Sequence, residues 1–122
     1  MRKIVLFLAA AGGTAFLAAP GQAASFDCSH ARAVDEATIC RTPSLSALDS
    51  EMGGLWYAYS RVPMAMGGNG NRGDAAREFL DRRRACAANV GCLTALYTRR
   101  IRALHQGIDD AMAEYFRLWN GG

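Results

Sequence analysis

Apolar residues recur along this chain at helical spacing, and no run shows the alternation of a half-buried strand. One clear stripe is Leu45, Leu48, Met52, Leu55, Tyr59 and Val62, whose steps of three and four residues keep one helix face toward a partner. Thr42 as N-cap and Pro43 at the first helical position mark its start, because that position has no intrahelical use for an N–H. Gly53 and Gly54 interrupt the stripe. A longer stripe, Leu93, Tyr97, Ile101, Leu104, Ile108, Met112, Tyr115 and Trp119, predicts a helix from about residue 92 to about residue 118. It would span roughly 40 Å against ~30 Å for the earlier helix, so the end carrying Tyr115, Phe116 and Trp119 is expected to overhang.

Two further helices complete the pattern. Ala76, Phe79, Leu80 and Cys86 place one at about 74–87, with Arg83 on or beside its apolar side. A short one is expected at about 30–39, with Ala31, Val34 and Ile39 inward. Residues 63–73 hold Gly67, Gly68, Gly70, Gly73, Asn69 and Asn71 and read as a flexible loop. This is no phosphate cradle, since neither a preceding strand nor a closing Gly-Lys-Ser/Thr is present. Met64 and Met66 are too sparse a pair to argue for a copper site. The expected fold class is all-α: a small bundle of about four helices ending in a long C-terminal helix.

The first 24 residues have a different character. Arg2 and Lys3 precede an apolar stretch from Ile4 to Ala19, and small residues follow at Gly21, Ala23 and Ala24. That is the layout of a signal peptide cleaved after Ala23 or Ala24. Gly12 and Gly13 interrupt the stretch, which is short for a membrane span. Cys28 follows Ser25-Phe26-Asp27 and does not directly follow the apolar run, so a lipid-modified N-terminal cysteine is not expected. The reading is a periplasmic or secreted protein with no membrane span after signal cleavage.

Cleavage changes the charge. Without Arg2 and Lys3 the basic count falls from 14 to 12 against 11 acidic residues, so the mature charge is about +1. Such a balance provides no field to hold a nucleic acid, and export argues against one as well. Arg82-Arg83-Arg84 is the one basic cluster and reads as a helix surface with one member paired inward.

Cys28, Cys40, Cys86 and Cys92 all lie in the exported part. An even number of cysteines in a small exported chain reads as two disulfides. Three connectivities are possible, and spacing favours Cys28–Cys40 with Cys86–Cys92. A four-thiolate zinc site would need reduced thiols and usually tighter pairs, so neither a metal nor any other cofactor is expected.

Catalysis finds little support. His30 and His105 sit in no nucleophile or metal motif, and Glu51, Glu78 and Glu114 are ordinary helix-surface glutamates rather than a glycosidase pair. The expectation is a protein that is not an enzyme.

The residues Phe26-Asp27-Cys28, Ala31, Glu36, Ile39-Cys40, Leu45 and Leu48-Asp49 open a pattern. Phe79-Leu80, Arg83, Cys86, Cys92-Leu93, Tyr97, Arg100-Ile101 and Leu104 continue it. Together they resemble the LprI-type lysozyme-inhibitor N-terminal domain family of small exported four-cysteine bacterial proteins. The likeness covers about residues 25–104 and leaves 105–122 as a C-terminal helix extension. The chain departs from the family at Phe79, Trp56 and Arg84, where Trp, Tyr and an acidic residue are usual.

The resemblance implies a compact helical domain and a non-catalytic inhibitor that blocks the cleft of a lysozyme-type muramidase. Candidate contacts are Arg82, Arg84, the 63–73 loop and the tail aromatics, with an Arg neutralising the enzyme's carboxylates. Glu36, Asp49, Arg83 and Arg100 match family positions among core residues, and ion pairs or capping hydrogen bonds that lock helix register are expected of them. The alternative is a cell-envelope structural or adaptor module that binds another exported protein through Trp56, Tyr57, Phe116, Trp119 and exposed arginines. Asp109, Asp110 and Glu114 offer an acidic patch to a basic partner.

Overall fold

A computed structural model describes residues 24–64 and 67–121. The segment up to Ala23, where a signal peptide is expected, and Met66 of the Met-x-Met pair lie outside the described residues. The chain forms four helices: α1 (Val34–Arg41), α2 (Pro43–Ser60), α3 (Gly68–Cys86) and α4 (Val90–Asn120). A single 3-10 turn, Cys28–His30, precedes them, and there is no strand among the described residues. The fold is an all-α bundle stapled by Cys28–Cys40 and Cys86–Cys92.

The entry to the bundle differs from the expected helix at 30–39. Asp27 accepts a hydrogen bond from the Ser29 backbone N–H and closes the short turn, after which the chain runs extended to Ala33. Glu36 reaches back to the backbone N–H groups of Arg32 and Ala33, so α1 starts at Val34. From that start the inward face is Asp35, Thr38 and Ile39, and Val34 is 59% exposed rather than buried. α1 and α2 meet at Thr42 alone. Pro43 takes the first helical position, but the Thr42 side chain makes no capping bond. Ser46 Oγ instead donates to Ile39 O at 2.7 Å and ties the two helices together.

The larger correction concerns residues 63–73. The glycine- and asparagine-rich part is helical from Gly68 onward, although such residues disfavour a helix interior. Arg72 supplies the reason. Its guanidinium donates to the carbonyls of Tyr59 and Val62 at the end of α2 and to Asn69 Oδ1 in the first turn of α3. One side chain thus bonds carbonyls at and just beyond the end of α2 and pins α3 against them. Gly67, at φ 94°, makes the left-handed entry that a side chain would resist.

At the α3–α4 corner, Asn89 N bonds to Cys86 O and Asn89 Oδ1 accepts from Cys92 N, which starts α4 at Val90. With 31 residues α4 is about 46 Å long, whereas the 18 residues of α2 give ~27 Å. The core therefore sits at one end. Ile39, Leu45, Phe79, Cys86, Leu93, Leu96 and Tyr97 form it, with Phe26 and Met52 packed alongside. Leu80, expected inward, sits at the edge of the packed face and is 38% exposed. Along α4 burial fades from Leu104 through half-buried Ile108 to exposed Met112, Tyr115 and Trp119.

The two adjacent glycines of α2 have opposite surroundings. A Cβ on Gly53 would lie 2.7 Å from Ser25 Cβ, whereas one on Gly54 would meet nothing within 4 Å. Gly54→Ala is accordingly expected to raise the unfolding free energy by about 1 kcal/mol through helix propensity. Gly53→Ala is expected to lower it, because the segment holding Ser25 must move. Urea unfolding of the two variants checks both signs.

Candidate functional site

Of Glu36, Asp49, Arg83 and Arg100, the first three form an internal framework. Arg83 projects from α3 toward α1, where its Nε donates to Asp35 Oδ2 at 2.7 Å and its Nη2 to Glu36 Oε1 at 3.4 Å. Only 9% of the Arg83 side chain and 3% of the Asp35 side chain are exposed. Burial opposes the guanidinium charge, but Tyr97 and Asp35 outweigh it and hold the Arg83 pKa above the ordinary arginine value. The ring of Phe26 lies 5.5 Å from the guanidinium.

Asp49, fully buried on α2, makes hydrogen bonds and no ion pair among the described residues. Its Oδ1 accepts from the Tyr97 hydroxyl at 2.7 Å and its Oδ2 from the Ser25 backbone N–H at 2.6 Å. The carboxylate thus fastens the N-terminal segment and α4 to α2. Burial, reinforced by the bond to Asp49, pushes the Tyr97 phenol pKa up and keeps it protonated. Phe79 meets the Tyr97 ring edge-on at 5.2 Å.

Arg100 departs from the expected ion pair. No carboxylate of the described residues bridges to it, and its buried Nε has no hydrogen-bond partner. It lies instead 5.6 Å from the Trp56 ring and 6.0 Å from that of Phe79.

The arginine run divides into different roles. Arg83 is the inward member, while Arg82 pairs with Glu78 at 2.6 Å and Arg84 with Asp81 at 3.0 Å on the exposed face of the same helix. Trp56 is half-buried, whereas Tyr57 is exposed, with the Arg61 guanidinium 3.7 Å above its ring.

The far end of α4 has another character. Tyr115, Phe116, Leu118 and Trp119 are between 49% and 74% exposed. Tyr115 stacks on Trp119 at 6.4 Å and meets Phe116 edge-on at 6.0 Å. A groove of about 640 Å³ opens between this end and the end of α2, lined among others by Tyr59, Met64, Asp110, Glu114, Tyr115 and Leu118. A second hollow of about 420 Å³, between Val62, Pro63, Met112 and Tyr115, shares the Tyr115 ring.

No protein-family profile, curated protein or solved structure matches the chain.

What the arrangement can do rests on its own chemistry. No group of three or more metal-ligating side chains occurs among the described residues. His30 is exposed and bonded to Asp27, and His105 is exposed. The α4 end combines aromatic rings, aliphatic groups and two carboxylates beside a groove.

Two contributors escape a reading of the sequence. Asp35 looks like any acid in a first helical turn, and only the packing of α3 makes it the closer partner of Arg83. Tyr97 reads as one apolar stripe position, yet a buried tyrosine hydroxyl needs an acceptor, and that rule points to a carboxylate such as Asp49.

Proposed function

We propose that the protein is an exported, non-catalytic binding protein that grips a partner protein with the overhanging end of α4. The observation that carries this reading is the aromatic cluster Tyr115, Phe116 and Trp119, exposed beside a groove that also presents Asp110 and Glu114. Aromatic anchors in such a setting are the side chains that dominate interface energies. The two disulfides suit a protein that folds in an oxidising compartment, and no helix among the described residues is long and apolar enough to cross a membrane.

The partner we propose, on the family resemblance, is a lysozyme-type muramidase. Carboxylates set among aromatic rings complement the basic surface of animal-type lysozymes, although the nearly neutral chain as a whole gains no long-range steering. The plug would be the α4 end, since Arg82 and Arg84 are engaged by Glu78 and Asp81 and Arg83 is buried. Turnover of peptidoglycan by several lysozymes, with and without the oxidised protein, tests this directly. Stoichiometric inhibition is expected. Phe116→Ser with Trp119→Ser is expected to weaken it at least ~30-fold, as loss of one interface hot spot worth about 2 kcal/mol would.

No inhibition of any lysozyme would end the muramidase reading. The second reading is an envelope adaptor using the same α4 end together with Tyr57, and its supporting observation is the exposed stack of Arg61 on Tyr57. It predicts capture of an exported protein that is lost with the same serine substitutions.

A further inference from the structure

The apolar face of α4 that packs on α2 runs on past the point where α2 stops. Ile108 is half-buried there, whereas Met112, Tyr115 and Trp119, which follow it on the same face, are exposed. Phe116 and Leu118 flank the stripe and are exposed as well. At 3.6 residues per turn Glu114 and Arg117 fall on the other side of the helix, where they pair with each other. From Met112 to Trp119 the stripe therefore carries no charge. Its five side chains, 41% to 74% exposed, together show on the order of 600 Å² to solvent. That is as much as the largest apolar patch of an ordinary monomer.

The same face holds a hollow. Ala58, Val62, Pro63, Met112 and Tyr115 enclose about 420 Å³ where the end of α2 meets α4. Arg61 also borders it, and its guanidinium lies over the Tyr57 ring. Trp119, the most exposed of the five apolar side chains, stands on the same face about two turns, or ~10 Å, beyond Met112. Each copy thus carries both a protruding indole and an apolar hollow large enough to receive one.

We propose that two copies of the chain pair through this face, their α4 overhangs antiparallel about a two-fold axis. Antiparallel pairing sets Trp119 of each copy at the level of Met112 of the other, where it enters the hollow, and sets Tyr115 against Phe116. Knob and hollow are each used twice, so the contact closes at two copies. A parallel pairing would set Trp119 against Trp119 and leave both hollows open. The area is sufficient. About 600 Å² from each copy gives ~1,200 Å² in all, the lower bound for a specific, stable interface, and a dissociation constant on the order of 10 µM is expected. The pairing does not rest on the muramidase reading. It covers the rings with which that reading grips a partner, so the dimer is the resting form and a partner protein competes with the second copy.

Sedimentation of the disulfide-intact protein alone, from about 1 µM to about 300 µM, tests the pairing apart from any inhibition assay. A mass rising from one copy to two is expected. Met112→Lys and Trp119→Glu should each raise the dissociation constant at least ~30-fold, while Val34→Ser, which alters an exposed side chain on α1, should leave it unchanged. An equimolar mixture of the Met112→Lys and Trp119→Glu chains should recover the dimer, because antiparallel pairing brings the new lysine of one against the new glutamate of the other and leaves a native Met112–Trp119 contact at the second site. A single copy at every concentration overturns the proposal and leaves the face to a foreign protein. Growth beyond two copies, undiminished pairing in Trp119→Glu, or a mixture that stays monomeric also overturns it. Circular dichroism checks that the variants fold, and should one not, the mass of the unaltered protein on dilution decides alone.

Discussion

Replacing Cys28 and Cys40 together by serine is expected to lower the unfolding free energy by about 3 kcal/mol, and removing the Cys86–Cys92 link as well to bring the loss to about 5 kcal/mol. These magnitudes come from the loops the links close, 12 and 6 residues in sequence separation, through the entropy they take from the unfolded chain. The first link does more than its loop length implies. It anchors the segment from which Ser25 N–H reaches buried Asp49 and Phe26 covers Arg83. It also holds α1, whose eight residues are too few to persist as an isolated helix. A domain of this size has only some 5–15 kcal/mol of stability in all, so the doubly unlinked chain is expected to be largely unfolded at 37 °C. Guanidinium unfolding of the oxidised protein and the two serine variants measures this. A loss below 1 kcal/mol for the Cys28–Cys40 variant would mean that packing alone secures the N-terminal segment.

The sequence makes the helical class, the local pairing of cysteines and the fading burial along α4 legible for one reason. Each depends on residues close in the chain or on a period that runs through a whole helix. Leu93, Tyr97 and Leu104 announce their buried face in this way, and Met112, Tyr115 and Trp119 continue the stripe past the point where α2 ends. The misjudged positions depend on single long-range contacts. Residues 68–73 have the composition of a loop, and only the bonds from Arg72 to the end of α2 make a helix there worthwhile. Val34 has a core-forming side chain but occupies the first position of a helix whose phase is set by Glu36 folding back. At the candidate site, the aromatic overhang could be read from helix length, whereas the groove beside it could not, because Tyr59 and Glu114 come together only when α2 and α4 pack. Sequence places Arg83, and not Arg82 or Arg84, on the apolar side of α3 with Phe79 and Cys86, but it does not name the partners. Those are two carboxylates of α1, which only packing brings to it.

That difference supports the most discriminating stability prediction. Arg83→Met is expected to cost about 3–5 kcal/mol, because it leaves the carboxylate of Asp35 buried without its counter-charge. Arg82→Ala and Arg84→Ala, whose pairs with Glu78 and Asp81 are exposed, are expected to cost no more than about 0.5 kcal/mol each. The large figure is the penalty for orphaning one charge and not the worth of the pair. Adding Asp35→Leu to Arg83→Met is therefore expected to restore much of the loss, since apolar replacements of similar volume often match a buried ion pair. Chemical unfolding of the single and double variants, read as a thermodynamic cycle, separates these terms. Arg83→Met falling by less than 1 kcal/mol would show that water reaches Asp35 and that the pair is no structural tie. The same cycle governs how binding experiments are interpreted. Loss of partner binding in Arg83→Met would report a loosened α1–α3 contact, and recovery in the double variant would establish that Arg83 touches no partner. Loss in Arg82→Ala or Arg84→Ala, with stability unchanged, would instead place the α3 surface in the interface and move the grip away from the end of α4.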